Sequence, residues 1–312
     1  MVTRHVVERV EVLLSKSLAY SSIKVYKRAW GLASEALAMI YPNVNIRNLL
    51  PLSINSVIYF IGYLSLKRLS ASTITTYVSA IGYVHKVSNF INPTTNFLVQ
   101  KVLAAVNKVN PSSDSRLPIT LHILHQLVVS VPQVISDYYQ ATLMKAMFLF
   151  AFYGLMRVGE IAYSASTRNP TITLDQISIY PTHLVIRITH FKHNPSRRPL
   201  EIVIKKQRDS TVCPLANLCN YMLLRGWGPG PLFVFQDGPV VVSSFFSSRL
   251  NMCLNFLGID PSLYKSHSFR IGAASLLASL RYSDSQIRLI GRWKGDAFKR
   301  YIRCERLLSC LS

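Results

Sequence analysis

Residues 266–270 read Ser-His-Ser-Phe-Arg, and residues 291–301 read Gly-Arg-Trp-Lys-Gly-Asp-Ala-Phe-Lys-Arg-Tyr. These stretches place a His, two Arg, a Trp and a cation-flanked Tyr on consecutive short helical segments. His267 and Arg270 are three residues apart, so both point to one face at the start of a helix, whose N-terminus attracts anions. Such residue types suit the binding of a phosphodiester that a phenol attacks. For His267 by itself, a capped core helix is the alternative.

The charge of the chain also indicates a polyanionic partner. The 312 residues include 35 Lys and Arg against 14 Asp and Glu, a net charge of +21, and half of them are apolar. The length allows two domains, and the apolar content predicts a folded protein rather than a basic tail. A well-packed protein this basic usually binds a polyanion. On charge alone, a ribosome-associated protein or a membrane-surface binder remains an alternative.

The sequence predicts an intracellular protein with no membrane partner. The most apolar run, 146–156, is too short to span a bilayer and is bounded by Lys145 and Arg157. Residues 1–5 lack the apolar core of a secretory signal. The five Cys are scattered, odd in number and without a Cys-x-x-Cys pair, so we expect reduced thiols and no metal site.

Residues 1–109 are predicted to form a helical, DNA-facing domain. Apolar residues recur there at helical spacing, with helices expected to open near Ser21, Ser53 and Ser70. No acid occurs between Glu35 and Asp114, so the basic residues are unbalanced. The candidates for DNA binding in this domain are Lys24, Lys27, Arg28 and Lys86. Ordinary solvated helix faces are the alternative, and residues 110–118 are the predicted linker.

The second domain, 119–312, is predicted to combine helices with a small antiparallel sheet. Helices are expected over 120–131 and 137–156, and β-branched segments over 177–180, 183–189 and 200–204 predict three strands. Lys192 lies at the second turn of this sheet. Ser283 has the spacing of a capping box, and Asp296 is expected to cap the last helix.

Phosphoryl transfer without a metal needs a nucleophile, fixed cations for the phosphate oxygens and an acid for the leaving oxygen. Arg157 ends a very apolar helix, and Glu160 is expected on the same helical face to orient it. A structural ion pair is the alternative for these two residues. Tyr301 lies among cations that steer DNA and favour a phenolate, and these are Lys294, Lys299, Arg300 and Arg303. Packing roles are the alternatives for Trp293 and Tyr301.

In this order and spacing, the residues resemble the tyrosine recombinases. The family pattern is an Arg in a Gly-Leu-x-Arg-x-x-Glu/Asp turn, a Lys on a β-hairpin, His-x-x-Arg, then His or Trp, then the nucleophilic Tyr. The positions that match it are Arg157, Lys192, His267, Arg270, Trp293 and Tyr301. The amino-acid sequence of 267–274 and 291–303 looks most like that of the recombinases of eukaryotic mobile elements of the DIRS, Ngaro and Crypton kind.

Two local features bear on this resemblance. Trp293 lies eight residues before Tyr301, one fewer than is usual in bacterial integrases, and the shorter step fits the eukaryotic-element group. Lys205 and Lys206 lie near Lys192 in sequence, but at the far end of the following strand. The resemblance implies a mainly α fold with a small antiparallel β-sheet. It also implies an all-helical core-binding domain followed by an α+β catalytic domain.

The resemblance further implies a mechanism. Tyr301 attacks a DNA phosphate, forms a 3′-phosphotyrosyl bond and frees a 5′-hydroxyl, and Lys192 protonates the leaving oxygen. His267 takes the tyrosine proton, and the phosphate oxygens are held by Arg157, Arg270, His267 and Trp293. DNA contacts from Lys294, Lys299 and Arg300 are also expected. Bond energy is conserved, so no metal and no nucleotide cofactor are implied.

The implied partners are double-stranded DNA and further copies of this chain in a DNA-bound tetramer. The implied role is integration or excision of a mobile element, in the nucleus for a eukaryotic element and otherwise in the cytoplasm or nucleoid. A type IB topoisomerase uses similar residues and is one alternative. A domesticated recombinase kept as a non-catalytic DNA-binding protein is another, although a pure binder has no need of the nucleophile.

Overall fold

The computed structural model describes residues 2–42, 50–111, 114–167, 169–189 and 198–303. The chain divides into two compact units, 1–114 and 115–312, and this boundary falls within 110–118, the predicted linker. Each unit has its own apolar core. Within the described ranges, no helix is both long and apolar enough to cross a bilayer.

The first unit is built from helices, as its periodicity predicts. They are α1 (Val2–Lys16), α2 (Tyr20–Ile40), α3 (Ile54–Leu66), α4 (Ala71–Val87) and α5 (Phe97–Val109), with a 3₁₀ turn at Pro93–Thr95. Ser53 and Ser70 cap α3 and α4 by accepting hydrogen bonds from the N–H groups of Ser56 and Thr73. The core is formed by the apolar faces of α2 to α5, with Phe60 and Ile81 fully buried.

The second unit combines helices with a sheet. Its helices are α6 (Leu121–Val134), α7 (Tyr138–Tyr153), α8 (Val158–Ile161), α9 (Pro214–Arg225), α10 (Ser243–Phe256), α11 (Ser266–Ser279) and α12 (Asp284–Ile290). Shorter 3₁₀ segments lie at Leu174–Gln176, Pro261–Leu263 and Asp296–Tyr301. Thr120, Asp137 and Ser283 cap α6, α7 and α12 through their side chains. The capping box predicted at Ser283 is therefore confirmed.

The sheet has three antiparallel strands in the order β1–β2–β3. These are β1 (Ile177–Ile179), β2 (His183–Ile188) and β3 (Leu200–Lys205). Ile179 is paired with Leu184, and Ile188 with Leu200. Each predicted strand is present, so the predicted fold class, mainly α with a small antiparallel sheet, is confirmed.

Helix α7 forms the centre of the second unit. Its residues from Met144 to Phe152 are buried apart from Lys145, so it can pack on several sides, and it contacts α6, α9 and α11. Phe148 stacks on Phe269 of α11 at a ring-centroid distance of 5.4 Å. This contact brings the first turn of α11 next to the end of α7.

Gly272 lets α11 approach the segment before α6 closely. A Cβ atom at this position would lie 1.8 Å from the carbonyl oxygen of Ile119, so no other residue fits without a shift of backbone. The N–H of Ile119 also donates to the Ser268 carbonyl oxygen at 3.0 Å. The beginning of α11, which carries His267 and Arg270, is thereby fixed in the unit.

Candidate active site

Arg157 lies on a turn that follows the central helix. Helix α7 ends at Tyr153 with Gly154 as its C-cap, and Leu155 has a φ of +46°. Arg157 is then the N-cap of α8. The prediction that Arg157 ends the apolar helix, with Glu160 on the same helical face, is therefore wrong, because α7 ends at Tyr153 and Glu160 belongs to a new helix, α8.

The expected pairing of Arg157 with Glu160 is nevertheless present. Oε1 of Glu160 accepts from Nη1 of Arg157 at 2.9 Å, and Oε2 accepts from the Arg157 backbone N–H at 2.8 Å. Both bonds are charge-assisted, and together they fix the backbone and the guanidinium of Arg157. The Arg157 side chain is 23% exposed, so part of its guanidinium is open to an anion from solvent.

Arg270 is fully buried at the centre of the cluster. It donates to the carbonyl oxygen of Leu155, and its Nη2 donates to the carbonyl oxygen of Gly291 at 2.7 Å. Its Cζ atom lies 4.5 Å from the ring centroid of Trp293 and 5.8 Å from that of Tyr301. Its Nε atom has no hydrogen-bond partner in the part of the chain that the structure describes. Arg270 therefore keeps one buried donor free beside the Trp293 and Tyr301 rings.

Arg292 is a further member of the cluster that the sequence reasoning did not assign. Its side chain is completely buried, and Nη2 donates to Oε2 of Glu160 and to the Leu155 carbonyl oxygen, each at 2.8 Å. Nη1 donates to the Gly154 carbonyl oxygen at 3.2 Å. The only sequence signal was its place between Gly291 and Trp293. Its inward direction depends on a φ of +59°, which no sequence pattern indicated.

The electrostatics of the cluster follow from one carboxylate among three guanidinium groups. Burial raises the pKa of Glu160, but the charges of Arg292 and Arg157 and the Arg157 N–H outweigh it and hold that pKa below its usual range. Burial lowers the pKa of Arg270, and the neighbouring Arg157 and Arg292 lower it further. Burial also lowers the pKa of Arg292, while Glu160 opposes the shift. The Arg270 and Arg292 guanidiniums nevertheless stay charged at neutral pH, because arginine holds its proton so strongly. The site is therefore strongly cationic.

Tyr301 lies against the cation cluster. Its ring centroid is 5.0 Å from that of Trp293 and 6.4 Å from that of His267. Its carbonyl oxygen accepts from Oγ of Ser275 at 3.2 Å, which ties the backbone of the Tyr to α11. The structure thus brings together Tyr301, His267, Trp293 and Arg270 on one side of the unit, with Arg157 joined to them through Glu160 and Arg292.

Trp293 is packed rather than presented to solvent. It is 9% exposed and lies between Arg270 and Tyr301, with Phe298 also in ring contact. A Cβ atom on Gly291 would lie 1.6 Å from the Trp293 ring, so the glycine makes room for this indole. Trp293 therefore fixes the positions of the Arg270 guanidinium and the Tyr301 ring.

The segment that carries Tyr301 is a 3₁₀ helix rather than an α-helix. It covers Asp296–Tyr301, and its N-cap is Gly295 without a side-chain cap. The prediction that Asp296 caps this helix is wrong, because Asp296 is its first residue and its carboxylate instead contacts Nζ of Lys299 at 3.4 Å. The other two predicted DNA contacts here, Lys294 and Arg300, have exposed side chains.

The remaining predicted positions lie elsewhere. Lys192 falls between β2 and β3 but outside the described residues, so its predicted role stays a prediction. Lys24, Lys27, Arg28 and Lys86 are exposed on α2 and α4 of the first unit. Among the described residues, no three His, Cys, Asp or Glu side chains are grouped so that they could hold a metal ion.

Substitution of Glu160 should reveal how strongly the buried charges depend on their carboxylate. Glu160→Gln is expected to lower the free energy of unfolding by about 3 kcal/mol near neutral pH, since it leaves buried guanidinium charge without its counter-ion. Because the folded-state pKa of Glu160 lies below its unfolded value, its charge stabilises the fold above the unfolded pKa. That stabilisation is lost as the pH falls through the folded-state pKa. Urea unfolding at a series of pH values measures both effects.

The matched control for this prediction is an exposed ion pair on the sheet. Oε1 of Glu201 accepts from Nε of Arg187 at 2.9 Å, with both side chains about half exposed. Glu201→Gln is expected to lower the free energy of unfolding by no more than about 0.5 kcal/mol. The free energies of unfolding of wild type and Glu160→Gln should become more similar as the pH falls. If they differed by the same amount at every pH, the folded-state pKa of Glu160 would not be lowered.

The chain is similar in structure to several solved DNA-bound proteins. The XerH site-specific recombinase bound to palindromic difH substrate, a post-cleavage complex, matches with a TM-score of 0.60 and 15% identity, over 84% of this chain and 72% of XerH. A lambda integrase dimer bound to a COC′ core site matches with a TM-score of 0.58 and 13% identity, over 95% of this chain and 75% of the integrase.

A third similar structure is the Tn1549 transposon integrase in complex with circular intermediate DNA. Its TM-score is 0.54 at 9% identity, over 95% of this chain and 99% of that chain. No family model matches the sequence, and no curated protein matches it. At these identities the likeness establishes the fold, and the protein has the fold of the tyrosine recombinases.

Proposed function

We propose that the protein is a site-specific DNA recombinase that cleaves and rejoins strands through Tyr301. The observation that carries this proposal is the cluster of Tyr301, His267, Trp293 and Arg270 with the Arg157 turn, on a fold shared with DNA-bound recombinases. A phenol beside fixed guanidinium groups is the arrangement that metal-independent phosphoryl transfer needs.

The proposed first step is attack of the Tyr301 phenol oxygen on a DNA phosphorus. A 3′-phosphotyrosyl bond forms while the bond from phosphorus to the 5′ oxygen breaks. His267, whose ring centroid lies 6.4 Å from that of Tyr301, takes the phenol proton. Lys192 is proposed to protonate the leaving 5′ oxygen. The arginines compensate the charge that develops on the non-bridging oxygens.

The second step reverses the first on a partner strand. Its free 5′-hydroxyl attacks the phosphotyrosyl phosphorus, the bond to Tyr301 breaks and the phenol recovers its proton. One ester replaces another in each step, so this proposal requires no nucleotide hydrolysis. The guanidiniums supply the positive charge that a metal ion supplies in other phosphoryl transfers. Four such sites are needed to exchange both strands of two duplexes, so we propose a DNA-bound tetramer of this chain.

The biological setting is proposed from the sequence resemblance. The amino-acid sequence around His267 and Tyr301 supports a recombinase of a eukaryotic mobile element. Such a recombinase would act in the nucleus and integrate or excise that element. The Tn1549 integrase, a transposon protein with the same fold, is in keeping with such a role.

The experiment that tests the function selects substrates from a random duplex pool. Nicked duplexes that become covalently bound to the protein are isolated, sequenced and rebuilt as pairs of duplexes that carry the selected site. The proposal predicts strand transfer between the pair in the presence of EDTA. Relaxation of supercoiled plasmid without any strand transfer would assign a topoisomerase instead. DNA binding without any covalent product would assign a non-catalytic binder.

The basic surface of the first unit is expected to contribute non-specific affinity for DNA. Lys24, Lys27 and Arg28 are exposed at successive i, i+3 and i+4 positions of α2. Changing all three to Gln should weaken duplex binding and lower the slope of log K against log salt by about one unit for each phosphate contact removed. Fluorescence anisotropy over a range of salt concentrations measures this slope.

A single charge that is already paired provides the control. Nζ of Lys67 lies 3.6 Å from Glu35, so Lys67→Gln removes a positive charge that is locally neutralised. We expect a smaller change in slope for Lys67→Gln than for any one substitution at Lys24, Lys27 or Arg28. If the triple variant kept the wild-type slope, α2 would not contact DNA phosphates.

A further inference from the structure

Arg292 makes contacts that do not suit a direct ligand of the substrate. Its side chain has no exposed surface, and it donates to the carbonyl oxygens of Gly154 and Leu155 and to the Glu160 carboxylate. All three acceptors lie between Gly154 and Glu160, in the turn that carries Arg157 and in α8, which follows it. Arg292 itself directly precedes Trp293, in the segment that leads to Tyr301. It therefore connects two parts of the site that are far apart in sequence.

The backbone at both ends of this connection adopts a conformation that most residues avoid. Leu155 has a φ of +46° and Arg292 a φ of +59°. Positive φ at a non-glycine residue costs free energy and persists where the surroundings enforce it, which happens often at functional sites. The Leu155 carbonyl oxygen accepts from both Arg270 and Arg292, so two buried guanidiniums hold this turn.

Glu160 is shared between the same two parts of the site. Oε1 accepts from Nη1 of Arg157, while Oε2 accepts from the Arg157 N–H and from Nη2 of Arg292. With both oxygens engaged, the carboxylate cannot rotate without breaking a charge-assisted bond. The orientation of the Arg157 guanidinium therefore depends on Arg292.

We propose that Arg292 is a positioning residue that couples the Trp293–Tyr301 segment to the Arg157 turn through Glu160 and the Leu155 carbonyl oxygen. The proposal rests on the proposed function, in which Arg157 holds the phosphate and Tyr301 attacks it. Its effect on the reaction is expected chiefly through the position of the Arg157 guanidinium. A planar guanidinium can donate to several acceptors in fixed directions, whereas a lysine ammonium cannot reproduce this fork.

The first test compares cleavage by wild type and Arg292→Lys with a nicked duplex in single turnover. We expect the cleavage rate constant of the bound complex to fall about tenfold or more, because misplacement of a substrate-positioning group by small distances has effects of this order. The dissociation constant for the duplex should stay within about twofold of wild type, since Arg292 is buried. An unchanged cleavage rate would overturn the proposal.

A matched control separates positioning from a general loss of packing. Arg225 is a half-buried arginine whose guanidinium, like that of Arg292, donates to carbonyl oxygens. The acceptors are those of Gly226, Gly228 and Pro231, at 2.7–2.9 Å. Arg225→Lys should lower the melting temperature as Arg292→Lys does, yet leave the cleavage rate unchanged. An equal loss of cleavage in both variants would show that Arg292 is merely structural.

A double-mutant comparison tests whether Arg292 acts through Arg157. In an Arg157→Lys background, Arg292→Lys should change the cleavage rate by no more than about twofold, since the group it positions is already gone. If Arg292→Lys lowered the cleavage rate by the same factor in both backgrounds, the two residues would act independently, and the coupling would be overturned. If Arg292→Lys does not fold, Arg292→Gln takes its place in each comparison, because its amide group still donates hydrogen bonds to buried acceptors but carries no guanidinium fork.

A measurement on the free protein keeps this proposal separate from the proposed function. The mobility of the Arg157 guanidinium is measured by ¹⁵N relaxation of its Nε–Hε group, without DNA. The group should be more mobile in Arg292→Lys than in wild type and unchanged in Arg225→Lys. Equal mobility in Arg292→Lys and wild type would overturn the positioning role. Failure of the wild type to bind DNA covalently would overturn the proposed function alone.

Discussion

Tyr301→Phe is expected to bind duplex DNA as tightly as wild type and to form no covalent complex with it. The phenyl ring keeps the contacts of the Tyr ring with Trp293, His267 and Arg270, whose centroid or Cζ distances are 5.0, 6.4 and 5.8 Å. The hydrogen bond from Ser275 goes to the backbone carbonyl and does not need the phenol. Only the nucleophilic oxygen is lost, and covalent catalysis has no substitute for it. A nicked duplex and a denaturing gel measure the outcome.

The control for this prediction is a tyrosine in the same unit and outside the cluster. Tyr282 is 42% exposed, in the connection between α11 and α12. Tyr282→Phe should form the covalent complex at the wild-type rate. Covalent capture of DNA by Tyr301→Phe at the wild-type rate would mean that another residue is the nucleophile.

Arg270→Lys is expected to lower the cleavage rate by about 10³-fold, which is the order seen when a fixed cationic or hydrogen-bond donor is removed from a transition state. The guanidinium is held by the Leu155 and Gly291 carbonyl oxygens, and its Nε–H lacks a partner within the described structure. A lysine ammonium is a compact point charge and does not reproduce the planar fork that donates to both carbonyl oxygens while Nε–H points to a third partner. Single-turnover cleavage of a nicked duplex measures the loss.

Arg249 supplies the comparison for Arg270. Its guanidinium donates to Oε1 of Gln140 at 3.2 Å and lies over the Phe245 ring at 4.7 Å, contacts that involve no proposed site residue. Arg249→Lys should therefore cleave at the wild-type rate. Cleavage by Arg270→Lys within about tenfold of wild type would show that Arg270 serves packing, not catalysis.

The burial of Arg270 is expected to lower the stability of the fold. Its charge is fully removed from water beside two like charges, and among the described residues Glu160 is the only carboxylate that acts on it. Such an arrangement opposes folding, and a buried charge is weak evidence for stability. We interpret its presence as a requirement of function, since stability is commonly lowered at active sites.

Much of the fold followed from local sequence signals. Ser53, Ser70, Thr120 and Ser283 each precede a helix and cap it, because their short side chains reach the free N–H groups of the first turn. The three strands followed from β-branched runs separated by turns, and their antiparallel order follows from the short connections. Each of these signals involves only a few neighbouring residues, so it can be recognised in a single sequence.

The features that the sequence did not predict depend on long-range contacts. Arg292 contacts Glu160 across 132 positions of the chain, and its inward direction follows from a positive φ. The break after α7 arises at Leu155, a residue type that usually continues a helix. Asp296 has the residue type of a helix cap, but Gly295 takes that position. In each case tertiary packing decided between local conformations that the sequence left open.

The central claim is that Tyr301 becomes joined to a DNA 3′-phosphate. Mass spectrometry of tryptic peptides from the covalent complex, after nuclease digestion, tests it most directly. We expect a nucleotide mass on the peptide that contains Tyr301, together with a 5′-hydroxyl on the released strand. A nucleotide on any other residue, or a 5′-phosphate on the released strand, would contradict it.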